Sequence, residues 1–267
     1  MAYWITRFGS RDIPPNRESH DVGLPAIAQQ AVGLPYGAWD PLGSDAGQVK
    51  APYTIPVSTM LVHNTPAELH TALAAWRALC YTRATLYRTP DGGTENSESI
   101  TARLIAIDAP RDIENLRHLA LTLRFEITSP VWDGTAHTET ITLDASPKSQ
   151  DCDNDGNGIQ RAVTITVTAT GAPITAVIVE NLETGHVTKI KYAGSIAVGQ
   201  SLVIDCGAMT IRNNGVNAYT STAFTLEAGH SLREWLRLMP GANTIRVTRT
   251  GGDNASTCVL TYNDGWM

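Results

Sequence analysis

The chain has 267 residues, 42% of them hydrophobic and 17% charged, which is enough for two domains with an apolar core each. A net charge of −6 with no cluster of Lys and Arg excludes tight binding of nucleic acid through its phosphates. No run nears the ~20 apolar residues that cross a bilayer, and Met1 to Gly9 lack the regions of a secretory signal, so the expectation is a soluble, cytoplasmically made protein without membrane insertion.

From Ile13 to Pro56 the chain is rich in Pro and Gly, as in Pro14-Pro15, Gly33-Leu34-Pro35 and Asp40-Pro41-Leu42-Gly43. Proline removes ladder donors and glycine weakens strands, which predicts mostly loop with short strands. So long a loop suits contact with a partner or a neighbouring subunit. Thr65-Pro66-Ala67-Glu68 then reads as a capping box, followed at three- and four-residue spacings by Leu69, Ala72, Leu73, Trp76, Leu79 and Cys80. This spacing predicts an amphipathic helix over 65–81, with His70 and Arg77 off its apolar stripe. Strands are predicted over Arg83 to Arg88, Ala102 to Asp108 and His118 to Thr128, with a polar loop from Asp91 to Ser99. In the last of these, Leu119, Leu121, Leu123, Phe125 and Ile127 alternate with Thr122, Arg124 and Glu126. Ser129-Pro130-Val131-Trp132 ends the series, with Trp132 placed to clamp the turn.

Ser146 to Gly158 is polar and free of large apolar residues, the composition of an inter-domain linker. The expected organisation is therefore an N-terminal domain over 1–146, a linker over 147–160 and a C-terminal domain over 161–267. Beyond the linker, strands are predicted over Ala162 to Thr170, Ile174 to Asn181, His186 to Tyr192, Ser201 to Asp205, Ala208 to Arg212, Val216 to Thr225, Trp235 to Leu238, Asn243 to Arg249 and Thr257 to Tyr262. Asn214-Gly215 has the chemistry of a two-residue hairpin, and Pro240-Gly241 hinges two apolar-alternating runs. Short strands at this spacing favour a β-sandwich, jelly roll or barrel.

Candidate chemistry is sparse. Cys80, Cys152, Cys206 and Cys258 stand far apart with no C-x-x-C pair, as expected of reduced thiols. Asp151, Asp153, Asp155 and Gly156 match the opening of an acidic calcium loop, but Ala162 stands where an EF-hand needs its bidentate Glu, and a solvated turn explains the same residues. His20, His63, His70, His118, His137, His186 and His230 are scattered without metal-ligand spacing. Neither Gly43-Ser44-Asp45-Ala46-Gly47 nor Gly194-Ser195 forms a nucleophile elbow. A glycosidase needs only two carboxylates about 5 to 9.5 Å apart in space, which sequence does not test. Tyr219, Trp235, Tyr262 and Trp266 either form a sugar-stacking platform or fill the core, and the residues leave both open. We therefore expect no catalytic, cofactor or metal site.

The order of these features resembles the distal tail proteins of siphophages. The resemblance rests on the helix from Thr65 to Tyr81, Ala102-Arg103-Leu104, Leu121 to Phe125 and Pro130-Val131-Trp132 in the first half. In the second half it rests on Asn181 to Gly185, Gly199 to Asp205, Asn214-Gly215 and Pro240 to Ile245. It implies a mainly β protein: an N-terminal β-sandwich or split-barrel-like domain with one amphipathic helix, and a C-terminal galectin-like (jelly-roll) β-sandwich. It further implies a structural, non-enzymatic virion protein, a hexameric ring at the tail tip that lets DNA pass. Its partners would be the tail tube protein, the tape measure protein, the tail-tip hub and receptor-binding proteins. Rival readings are a carbohydrate-binding module for a host glycan and a cell-wall glycoside hydrolase.

Overall fold

The computed structural model describes residues 3–14, 29–31, 48–50, 53–90, 95–109, 117–127, 131–183, 188–219, 223–228 and 235–267. The chain divides into two units, Met1–Trp132 and Asp133–Met267. Most of the Pro/Gly-rich stretch, the loop at Asp91 to Gly93, the Ser129-Pro130 turn, and His20, His186 and His230 lie outside the described residues.

In the first unit the strands are β1 (Tyr3–Phe8), β2 (Arg11–Asp12), β3 (Gln29–Ala31), β4 (Gln48–Lys50) and β5 (Tyr53–Val62); α1 (Pro66–Arg77) precedes β6 (Arg83–Pro90), β7 (Glu98–Asp108) and β8 (His118–Ile127). β3 and β4 pair only with each other, and the rest form an antiparallel sheet in the order β5-β8-β7-β6-β1-β2. The alternation predicted for β8 holds, since Leu119, Leu121, Leu123, Phe125 and Ile127 are all buried. β5 begins at Tyr53, within the last four residues of the stretch expected to be mostly loop, and runs on to Val62 because Ile55, Val57, Thr59 and Leu61 give it a buried face; Pro56 sits in this edge strand, opposite Arg124 of β8. The sheet is strongly curled: Phe8 of β1 packs on Phe125 of β8 with ring centroids 5.0 Å apart, although two strands separate them. Thr59 Oγ1 of β5 donates to Pro14 O, just beyond β2, at 2.6 Å, so the two ends of the sheet meet as in a split barrel.

The helix begins where its capping box requires. Glu68 N–H donates to Thr65 Oγ1 at 3.3 Å and Thr65 N–H donates to Glu68 Oε2 at 3.1 Å. Leu69, Leu73 and Trp76 are buried, while Ala72, Leu79 and Cys80 are half-buried. The helix ends at Arg77 and not at Tyr81, because after two tighter turns Tyr81 adopts φ 66° and redirects the chain into β6. Trp132 is buried, with the Arg88 guanidinium 4.4 Å from its ring centroid and Glu98 paired to Arg88 beneath.

The second unit contains β9 (Trp132–Thr142), β10 (Lys148–Asp151), β11 (Thr164–Thr168), β12 (Ile174–Asn181), β13 (Thr188–Tyr192), β14 (Ser201–Asp205), β15 (Thr210–Asn213), β16 (Val216–Asn217), β17 (Phe224–Ala228), β18 (Thr244–Gly251) and β19 (Thr257–Trp266). Two antiparallel layers, β16-β15-β14-β11-β19-β9 and β10-β18-β12-β13-β17, enclose one core that includes Ile165, Val167, Leu202, Val177, Ile190 and Val247. The mainly β class is thus borne out. Asn214 and Gly215 take φ 49° and 77° between paired Asn213 and Val216, the two-residue hairpin expected of them.

The polar stretch expected as a linker is folded into this unit. Lys148 to Asp151 pair with Val247 to Thr244 of β18, and Cys152, Asn154, Gly156, Gly158 and Gln160 are buried. Its polarity serves hydrogen bonds and not solvent: Asn154 Nδ2 donates to Gly158 O at 2.8 Å while its Oδ1 accepts from Gly265 N at 2.9 Å. Gly156 lies so close to β19 that a Cβ there would stand 1.9 Å from Gly265 O. The run from Trp235 to Leu238, predicted as a strand, makes only an isolated bridge from Leu238 to Gln160.

Candidate functional site

The sites weighed from the sequence separate in three dimensions. Asp151 accepts from Thr244 Oγ1 at 3.0 Å, Asp155 presents its backbone N–H to Asp264 at 2.9 Å, and Asp153 is exposed. Among the described residues no three His, Cys, Asp or Glu side chains are placed to hold a metal ion. His137 stacks on Tyr262 at 5.0 Å and its Nε2 stands 3.1 Å from Asp264 Oδ1, which makes it part of the packing beside β19.

Burial pushes the Cys152, Cys206 and Cys258 thiols up to about 12, and all four cysteines are free, so the buried three are protonated fillers of the core and not nucleophiles. Among the described residues two carboxyls are shifted, in the direction opposite to that of a general acid. The Lys148 ammonium bonded to Asp144 lowers one; for Asp253, burial acts upward but hydrogen bonds from Ser256 and the Gly171 N–H outweigh it.

The four aromatics do not form one platform. Tyr262 is buried and donates its hydroxyl to Asp153 O at 3.0 Å, and Trp266 lies against Gly134. Tyr219 and Trp235 do come together, with planes 8° apart and centroids at 6.1 Å, and Phe224 tilts against both. Tyr219 is 49% exposed, whereas Trp235 packs on the core.

The Pro240-Gly241 turn is closed by side-chain bonds that sequence periodicity does not reveal. Gly241 takes φ 88° after Pro240, as a type II turn requires. Asn243, buried, accepts from Met239 N at 2.8 Å and donates to Met239 O at 2.8 Å and Gly241 O at 2.9 Å. Asn181, buried beside it, donates to Asn243 Oδ1 at 3.0 Å and Arg237 O at 2.8 Å. The signal available was an Asn placed three residues after the proline, where a turn-closing amide belongs.

What these two units define is a β scaffold in which buried polar side chains such as Asn154, Asn181 and Asn243 are hydrogen-bonded to turns and neighbouring backbone. Residues 158–266 match the family described as siphovirus-type tail component, C-terminal domain. No curated protein matches the chain. A crystal structure of SPP1 Dit (gp 19.1), described as a paradigm of hub adsorption apparatus in phages infecting Gram-positive hosts, is similar in fold, with a TM-score of 0.64 and 13% identity over 98% of this chain and 99% of that one. A baseplate chain of phage P2 in its activated, calcium-bound form aligns over 98% of this chain and 90% of that one, at TM-score 0.42 and 9% identity. The match over residues 158–266 agrees with the expected resemblance to siphophage tail components, and the likeness to SPP1 Dit is one of fold over both units. No described helix is long and apolar enough to cross a membrane.

Proposed function

We propose that the chain is a non-enzymatic distal tail protein that closes into a hexameric ring, joins the tail tube to the tail-tip and receptor-binding proteins, and lets DNA pass through its centre. The observation that carries this reading is the likeness in fold over almost the full length of both chains to a hub protein of the adsorption apparatus. The family match over the second unit supports it independently. An acidic chain suits the role, because a lumen without clustered cations does not hold the phosphates that slide past it. Native mass and particle images of the purified chain over a range of concentrations test the reading: a closed ring of six is expected, and closure with a different number of copies would overturn the hexamer.

A second reading is favoured by one observation, the half-exposed Tyr219 stacked on Trp235, since a flat aromatic surface suits the apolar face of a sugar. A glycan array separates the two: a purely structural hub gives no saccharide-dependent signal.

A further inference from the structure

Among the described residues two Asn-Gly pairs, Asn157-Gly158 and Asn214-Gly215, share a sequence context and are treated in opposite ways by the fold. Glycine after asparagine leaves little to hinder its backbone nitrogen from reaching the asparagine amide carbon, so both pairs carry the same latent chemistry. Gly158 is buried, its N–H donates to Gly265 O at 2.7 Å, and Asn157 Oδ1 accepts from Met267 N at 2.7 Å. A Cβ at Gly158 would stand 3.0 Å from the Met267 side chain. Nucleophile and electrophile are therefore both held in this pair. Asp155-Gly156 and Asp264-Gly265 are held in the same way, because Asn154 Oδ1 accepts from Gly156 N at 3.2 Å and from Gly265 N at 2.9 Å.

Asn214 and Gly215 form the tip of the β15–β16 hairpin, where both are exposed and the space around Gly215 is open. Among the described residues the Gly215 N–H has no hydrogen-bond partner, whereas the Asn214 N–H donates to Ser201 O at 2.9 Å. The hairpin itself is short: Arg212 pairs with Asn217 and Asn213 with Val216, at the edge of its layer. Exposed elements with so few pairings open at low free energy, which gives the tip the backbone rotation that ring closure needs. Its base is fixed, because Asn213 Nδ2 donates to Tyr192 Oη at 3.0 Å and to Ser195 O at 2.8 Å, so the opening is confined to the turn.

We infer that Asn214 is a site of spontaneous deamidation in the folded chain, a modification from which Asn157 is protected. The Gly215 nitrogen gives up its proton to solvent base and bonds to Asn214 Cγ, while the Cγ–Nδ2 bond breaks and that nitrogen leaves as ammonia. Water then opens the cyclic imide: attack at Cγ gives aspartate, and attack at the backbone carbonyl gives isoaspartate, whose main chain runs through one more carbon. One water is consumed, one ammonia is released and nothing is oxidised. Either product adds a negative charge, and isoaspartate no longer fits the two-residue turn, so β16 loses its pairing. Peptide mapping by mass spectrometry tests this on the full chain, incubated in mildly alkaline buffer both folded and in denaturant. In denaturant the two asparagines convert at similar rates; in the folded chain Asn214 converts at least about tenfold faster than Asn157, because the two sites open at different free energies. Methylation by an isoaspartyl methyltransferase marks the same peptide. Asn214→Gly, which keeps the positive φ the turn requires, abolishes both signals and leaves the melting temperature unchanged. A smaller ratio in the folded chain overturns the inference, and so does a folded Asn214 that stays intact while the denatured chain converts.

Discussion

Asn243 concentrates several structural tasks in one side chain: it closes the turn after Pro240, satisfies Met239, and meets Asn181 from the neighbouring β12. Replacing it with Ala removes these bonds and leaves the Met239 N–H and one donor of the fully buried Asn181 without the amide. With each unmade buried bond costing 1–3 kcal/mol, Asn243→Ala should destabilise the second unit by about 3 kcal/mol. Hydrogen exchange of the β18 amides reads this as a fall in opening free energy, and a loss under about 1 kcal/mol would mean that the backbone closes the turn unaided. At this scale the sequence was legible where chemistry is local. Pro240-Gly241 and Asn214-Gly215 announce their turns because φ > 0 has few candidates. Burial of Asn154, Asn181 and Asn243 was not legible, because nothing in an isolated Asn distinguishes a solvated loop amide from one that satisfies two distant backbones.

Elements were readable to the extent that their own residues define them. The start of α1 is set by Thr65 and Glu68, whereas its end is hidden in the sequence because Leu79 and Cys80 continue the apolar period after the helix has tightened into turns. β10 is hidden for the opposite reason: Lys148 to Asp151 have no apolar pattern, and the strand exists because β18 offers it an edge. Conversely, the apolar alternation from Trp235 to Leu238 suggested a strand that has no continuous neighbour to pair with. Register, and with it the opposition of Arg83 to Arg103, comes only from the assembled sheet. The cap itself makes a test at this scale. Thr65→Ala removes the oxygen that accepts from Glu68 N–H, and the expected loss is about 1 kcal/mol, seen as earlier melting of the first unit. Thr65→Ser should retain the cap, and equal melting of Ala and Ser variants would show that packing of Leu69, Leu73 and Trp76 alone holds the helix.

For the molecule as a whole, charge is the property that sequence states most directly and fold does not change. Net −6, with no run of Lys and Arg along the sequence, offers a phosphate backbone few cations to track. Nonspecific DNA binding draws nearly all its affinity from neutralised phosphates, so the assembled protein should bind duplex DNA no more tightly than roughly 10⁻⁴ M at physiological salt. Fluorescence anisotropy with a labelled duplex measures this, and the salt dependence adds a second readout: each phosphate contact steepens the fall of affinity with salt. A flat, weak titration is what a passage for DNA requires, because a channel that held its cargo would oppose its own emptying. Micromolar binding with a steep salt slope would mean that the protein presents a basic surface, and the proposed passage of DNA through a lumen without clustered cations would have to be abandoned.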